Sequence, residues 1–489
     1  MGISKSMAIA VSGSVLVGCA SLAAGAVTAG AAVKAGPGDG CCGPHGDRSR
    51  DLTPNRHRQR VIAGIRNGNV NKSRSDVRKR RHREPESIAP ASGATASSAP
   101  LAPDPLPTSP APPGDPTAAA MRAYLRGLAE NGFTGSVQVV RRGQVLARFA
   151  AGEADEKNHI PLRPDTVFRL ASVTKQFTAM LILKLRDQGL LRLDDPVCPY
   201  LIPTFIKACP KAWRTITVRE TVTHTSGIPD IQNLPGFYAK LSQPTTIQEL
   251  IQRFITLPLD FPPGTSWKYT NSGFILAGAI IETVTHKPYG SVLHDEITGP
   301  LKLPNTGFSP GDPPPGYAKG YFTLGSPAPP INGSQAYSAT GIFSTTDDLV
   351  RWDRSFGAYL VAPPATVREA FTPQAPCPPG GCLNLPSYAY AFGWLLDRLD
   401  GHRFSPTNPP RPTSRVSPTD PPRPTSRFSP TNPPRPTSRL VYHPGLLQGY
   451  TASNMYLPDD DIEVVVLSNV QDTDTNGIAR HLAEMALES

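Results

Sequence analysis

The chain lacks every common metal-ligand spacing: HExxH, HxH and CxxC…CxxC are all missing. A zinc site of those types is excluded, and no metal or other cofactor is expected. The G-x-S-x-G elbow of α/β-hydrolases is missing too. Gly38 to Gly43 fits G-x-G-x-x-G by letter, but no strand precedes it and no helix follows, so it predicts no dinucleotide site. The apolar run Met7–Val17 is too short to cross a bilayer. The composition excludes a collagen, a coiled coil and a multi-span membrane protein. Pro, in contrast, is abundant, with 56 in 489 residues. That surplus must sit outside helices and central strands, where Pro removes a donor and clashes.

The net charge of +10 would suggest a polyanion partner if it were evenly spread. It is not. Residues 1–117 carry +7 and residues 404–439 carry +5, leaving −2 for the rest. The basic charge belongs to appendages, which read as solvated charge runs, so no nucleic-acid partner is expected.

The first 35 residues read as an export signal. Lys5 gives a positive start, the apolar run follows, and Leu16-Val17-Gly18-Cys19 resembles a bacterial lipobox with Cys19 as the lipidated residue. Ala29-Gly30-Ala31 offers a simple cleavage site instead, and Gly2–Ser6 fits a myristoylation pattern less well. A start at Met121 would remove the whole segment. The expected location is the bacterial cell envelope, either periplasmic or held to the membrane by a lipid anchor. Two local pairs, Cys198/Cys209 and Cys377/Cys382, then read as disulfides or as four ordinary thiols.

Residues 36–117 read as a tether, first Arg-rich and then, from 85 on, rich in Pro, Ala and Ser. The globular part is expected from 118 to 489. Periodicity predicts helices at 118–130, 172–188, 246–256, 273–286, 346–357 and 475–488. A hairpin is predicted around Arg142-Gly143, with further strands at 389–398, 440–444, 450–457 and 462–469. Strands at both ends with helices between them imply an α+β fold, its sheet closed by both termini around an inserted helical region. Residues 404–439 are three near-identical copies of a 12-residue unit with four Pro each. They predict an extended insert that interrupts a hairpin after Asp400-Gly401.

Ser172-Val173-Thr174-Lys175 is an S-x-x-K at the opening of an apolar helix. That places both side chains on one face, with free backbone N–H groups and a helix dipole favouring negative charge at the Ser. A nearby amine eases its deprotonation. Tyr269-Thr270-Asn271 follows between Pro262-Pro263-Gly264 and another helix, and His443-Pro444-Gly445 begins a late strand. In this order the three motifs resemble those of the β-lactamase-related serine hydrolases: class C β-lactamases, serine DD-peptidases, D-aminopeptidases and esterases. Phe168–Ala171, His224–Pro229 and Gly341–Thr345 add to the likeness, which covers about 118–489 except the insert.

The resemblance implies a β-lactamase/transpeptidase-like fold and an exported enzyme acting on a small-molecule or peptide substrate. Ser172 would be the acylated nucleophile. Lys175 and Tyr269 would share the base role, with Tyr269 favoured. Asn271 would bind the substrate amide, and His443 and Gly445 would line the pocket. The N–H groups of Ser172 and Leu446 would form the oxyanion hole. His224–Gly227 reads as a structural loop. Where relatives carry K-T-G, this chain has His443 and Pro444, so the cation and the hydroxyl are both replaced. An ester or amide substrate without a carboxylate is therefore favoured. A true β-lactamase or DD-carboxypeptidase, or a non-catalytic envelope-binding protein on the same fold, are the alternatives.

Overall fold

The structure, a computed structural model, describes residues 104, 106–400 and 437–488. The export segment with Cys19, most of the tether and the bulk of the repeats lie outside those residues.

The sheet takes in residues before 118. Leu106 is buried, and the short strand β1 (Ser109–Pro110) pairs in parallel with Gln144–Val145 and forms one edge of the sheet. Pro is tolerated there because an edge strand needs only one side of its ladder. Helix α1 (Pro116–Glu130) starts at Asp115, whose carboxylate accepts from Ala118 N at 2.8 Å, with Pro116 in the first turn. Strands β2 (Gly135–Arg141) and β3 (Gln144–Ala151) form the predicted hairpin. Both turn residues, Arg142 and Gly143, have positive φ, as a two-residue turn matched to strand twist requires.

The inserted helical region follows. It contains α2 (Thr174–Asp187), α3 (Asn271–Thr285), α4 (Gly333–Thr340) and α5 (Thr346–Gly357). Gly189, at φ +75°, follows the end of α2 and turns the chain away from it. Helix α3 is buried all round from Asn271 to Ile281, which places it inside the helical layer rather than on its surface. The chain returns to the sheet through β4 (Ala375–Pro376), β5 (Ala389–Tyr390), β6 (Leu395–Asp400), β7 (Thr437–Leu447), β8 (Tyr450–Leu457) and β9 (Ile462–Ser468), and ends in α6 (Thr475–Leu487).

The sheet runs β1-β3-β2-β9-β8-β7-β6-β5-β4. Val466 of β9 lies opposite Val137 of β2 and Ser453 of β8, so both termini meet at its centre. Alternation sorts the two faces: Val464 and Val466 pack with α1 and α6, while Val465 and Leu467 pack against the helical region. The scaffold is a mixed α+β fold around a largely antiparallel sheet, as the sequence predicts.

Three expectations need correction. The predicted strand 389–398 is two strands, because Gly393 turns the chain at φ +85° against the backbone of Lys175. The helix at 246–256 is shorter, Ile247–Gln252, fixed by a capping box between Thr246 and Glu249. The repeat insert does not extend to 439. Thr437, Ser438 and Arg439 contain no Pro and pair with Asp400, Leu399 and Arg398 as the start of β7. Strands β6 and β7 are thus the interrupted hairpin. Of the two readings of the cysteines, the structure has the disulfides Cys198–Cys209 and Cys377–Cys382.

Candidate active site

Ser172 sits in a 3₁₀ turn, Ala171–Val173, that leads into α2. Ala171 is left-handed at φ +49°, a conformation that costs a non-Gly residue about 1–2 kcal/mol. The strain is held by packing: Ala171 is buried with Ile331, Ala336, Leu447 and Tyr450. Lys175 lies one residue inside α2 and is fully buried. Its Nζ is 2.9 Å from Ser172 Oγ, 2.7 Å from Asn271 Oδ1 and 3.0 Å from Ala339 O.

Burial lowers the Lys175 pKa to about 7, although the nearby Asp230 carboxylate pulls the other way. The geometry suits either protonation state. An ammonium donates to all three oxygens. A neutral amine donates to Asn271 and Ala339 and keeps a lone pair aimed at Ser172.

Tyr269 donates its hydroxyl to Ser172 Oγ at 2.6 Å. Burial pushes that phenol far above its usual range, so it is protonated at neutral pH. Of the two groups expected to share the base role, burial disfavours the tyrosinate, while the Lys175 pKa lies near neutrality. The backbone before α3 holds the tyrosine. Thr270 caps α3 by accepting from Ser272 N, and its own N–H donates to His224 Nδ1 at 3.2 Å. The His224 ring lies 4.4 Å from the Tyr269 ring and is kept neutral by burial. The loop from His224 is thus structural, and what it supports is the catalytic tyrosine candidate.

Asn271 is buried, and its amide is engaged at both ends. Nδ2 donates to both oxygens of Asp230 at 3.1–3.2 Å, and Oδ1 faces Lys175. These bonds hold the Asn271 amide between Asp230 and Lys175. Asp230 was not singled out by sequence. The only signal was its place right after Pro229, at the end of a motif already noted.

His443 is fully buried, with Nδ1 2.6 Å from Pro444 O and its ring 6.2 Å from that of Tyr269. Burial first, and the nearby Lys175 second, lower its pKa to about 3. Its Nε2 has no hydrogen-bond partner. The imidazole is therefore uncharged and shut off from solvent. Gly445 carries β7 past the serine turn so closely that a Cβ would collide with Leu170 O and lie 3.2 Å from the Ala171 Cβ. This brings the Leu446 backbone to the same turn, while the Leu446 side chain points to solvent, 61% exposed. Beyond Ala171, a cavity of about 610 Å³ is lined by Tyr317, Ile331 and Tyr450 among others. Among the described residues no cluster of three His, Cys, Asp or Glu could hold a metal ion, and no helix is long and apolar enough to cross a membrane.

A buried Ser–Lys pair with a Tyr on the serine oxygen, set between a helical region and an antiparallel sheet, defines a class of serine hydrolases. The family model for beta-lactamases matches residues 118–487, and the chain belongs to that family, the β-lactamase-related serine hydrolases. It is 31% identical over 219 residues to the esterase EstB of Burkholderia gladioli, covering 41% of this chain and 56% of that one. It is 28% identical over 232 residues to the D-alanyl-D-alanine-carboxypeptidase/endopeptidase AmpH of Escherichia coli K12, covering 46% and 58%. The match thus spans little more than half the length of these relatives. A D-stereospecific amidohydrolase from Streptomyces superposes with a TM-score of 0.56 at 25% identity, over 74% of this chain and 97% of that one. The D-amino acid amidase of Ochrobactrum anthropi SV3 shares the fold, with a TM-score of 0.59 at 22% identity over 76% and 97%.

Proposed function

We propose that this protein is an exported serine hydrolase that cleaves esters or amides without a carboxylate beside the scissile bond, through an acyl-enzyme on Ser172. The observation that carries the reading is the donor arrangement around Lys175. With two oxygens already placed to receive its protons, the neutral amine has its lone pair free for the Ser172 hydroxyl.

Ser172 Oγ attacks the carbonyl carbon as its proton passes to Lys175 Nζ. The carbonyl oxygen becomes an oxyanion, received by the N–H groups of Ser172 and Leu446. Collapse breaks the bond to the leaving alcohol or amine, which takes the proton back through the Tyr269 hydroxyl. Water then enters, loses a proton to Lys175, attacks the ester carbonyl and releases the acid, regenerating Ser172.

The neutral imidazole of His443 and the Pro ring at 444 support the substrate preference. Nothing there pairs with a carboxylate, and such a charge-assisted bond is worth about 1.5–3 kcal/mol. One relative, EstB, is an esterase, which agrees; another, AmpH, is a D-alanyl-D-alanine-carboxypeptidase/endopeptidase, which keeps peptides in view. The basic start and the lipobox at Cys19 support export to the envelope. A fluorophosphonate probe tests the mechanism. The adduct should appear on the peptide containing Ser172 and vanish in Ser172→Ala. An adduct on another residue refutes the assignment.

A further inference from the structure

The loop that ends at Asp230 is bolted to the start of α3. Ile231 N donates to Ser272 Oγ at 2.9 Å, and that hydroxyl donates to Pro229 O at 2.7 Å. Asp230, itself buried, therefore meets Asn271 at a fixed place. It accepts from Asn271 N at 3.1 Å and from Gln232 N at 3.2 Å, and it takes the Asn271 side-chain amide on both carboxylate oxygens.

We propose that Asp230 is a positioning residue, holding the Asn271 amide with its oxygen toward Lys175 and so keeping the amine's lone pair for Ser172. The proposal rests on the acylation mechanism above.

An amide can sit in either of two orientations, and only its hydrogen bonds decide between them. A carboxylate accepts and never donates when ionised. It therefore dictates that Nδ2 face Asp230 and Oδ1 face Lys175. With the amide turned round, an NH₂ group would point at the amine and engage its lone pair. The neutral amine would then lose the arrangement that leaves Ser172 as its remaining partner.

Asp230 also supplies charge. The other titratable groups set around Lys175 are Tyr269, whose ring is 4.8 Å from Nζ, and the imidazoles of His224 and His443. Burial keeps the phenol protonated and both imidazoles neutral. Phe274 is the remaining ring near the amine, at 5.3 Å. Burial raises the Asp230 pKa as well, while the Gln232 and Asn271 donors and the Lys175 charge hold it down. Among the groups set around Lys175 it is the acid whose anion favours the ammonium, and its loss should favour the neutral amine.

The experiment is the pH dependence of fluorophosphonate labelling on Ser172. In the wild type the rate should rise with pH through about 7, following deprotonation of Lys175. Asp230→Asn keeps the size but sets a donor against a donor. Its labelling rate should fall by roughly tenfold or more, and its acid limb should move to a pH about 1 lower as the anion is lost. A purely structural role would reduce the labelled fraction without moving the limb. The exchanged pair, Asp230→Asn with Asn271→Asp, restores donor to acceptor and puts a carboxylate directly on Lys175. Its limb should move above the wild-type value, and this variant carries the test where Asp230→Asn alone does not fold. A limb at the wild-type pH in either folded variant overturns the role of Asp230. A wild type that takes the probe on another residue overturns the acylation mechanism itself, and the two failures are therefore distinct.

Discussion

The two ends of strand β7 obey different rules. Its C-terminal end, His443–Gly445, is pressed against the serine turn with no room for one extra carbon at Gly445. Its N-terminal end, Thr437–Arg439, is partly or fully solvent-exposed, and there the strand receives the 12-residue repeats. One continuous strand therefore carries a tightly packed backbone beside the serine turn and a solvent-exposed end where the repeats join. The difference is packing, not secondary structure. Both ends are paired on the ladder, but only one is wedged against a second element.

Breaking the constrained end should have the largest effect. Gly445→Ala places a methyl group into Leu170 O, so β7 and the serine turn must separate. Overpacking of this kind costs roughly 1–3 kcal/mol of stability. The larger loss should be in catalysis, because the Leu446 N–H moves relative to Ser172. Displacing one oxyanion donor lowers kcat by about 10²–10³-fold. Ester hydrolysis by the folded variant checks this. A drop in Tm with kcat unchanged would show that the close approach serves packing alone.

A smaller effect is expected one step back along the strand. His443→Lys with Pro444→Thr restores a cation and a hydroxyl to the wall. The ratio of nitrocefin to p-nitrophenyl butyrate hydrolysis should rise by roughly 10- to 100-fold, from the 1.5–3 kcal/mol of one charge-assisted bond. The new ammonium would sit near Lys175, so the acid limb of ester hydrolysis should also shift below about 7. The wild-type imidazole, with its pKa near 3, should contribute no limb of its own between pH 5 and 8. An unchanged substrate ratio would mean that carboxylates are refused elsewhere in the pocket.

What the sequence made legible follows the same division. Local signals match the structure: the Arg142-Gly143 turn, the helices beginning near 172, 346 and 475, and the strands at 450–457 and 462–469. Motif spacing brought out Ser172, Lys175, Tyr269 and His443, and the structure sets these four around one point. What escaped was carried through space. Asp230 reaches Asn271 across 41 residues of chain, and Ala339 contributes a backbone carbonyl that no residue type announces. The protonation of Tyr269 depends on burial, which no motif encodes. Compositional boundaries erred in the same way. A Pro-rich stretch looked excluded from the sheet as far as 117, and the repeats looked excluded as far as 439, yet in both places the chain joins the sheet where its pairing permits it.

The permissive end gives the smallest expected effect, and it can be measured as a pair of deletions. Asp400 and Thr437 are opposite one another on the ladder. Joining Arg403 to Thr437 removes the repeats and leaves Gly401, His402 and Arg403 as a three-residue hairpin loop with Gly in it, a common connection. Cutting the loop to three residues lowers its closure cost by roughly 2 kcal/mol, so Tm should hold or rise by a few degrees. Arg439 is four residues from His443, about 13 Å at strand rise, so hydrolysis of small esters should be unchanged. Joining Arg403 to Leu440 should behave differently. It removes the pairs at Thr437, Ser438 and Arg439, uncovers the buried Leu399, and breaks the bidentate contact of Arg439 with Asp459. Its Tm should fall below that of the first deletion, although the two differ by only three residues. Equal melting temperatures would show that the strand's first three residues add nothing to the fold. Failure of the first deletion to fold would show that the repeats are part of the structure and that this end of β7 is as constrained as the other.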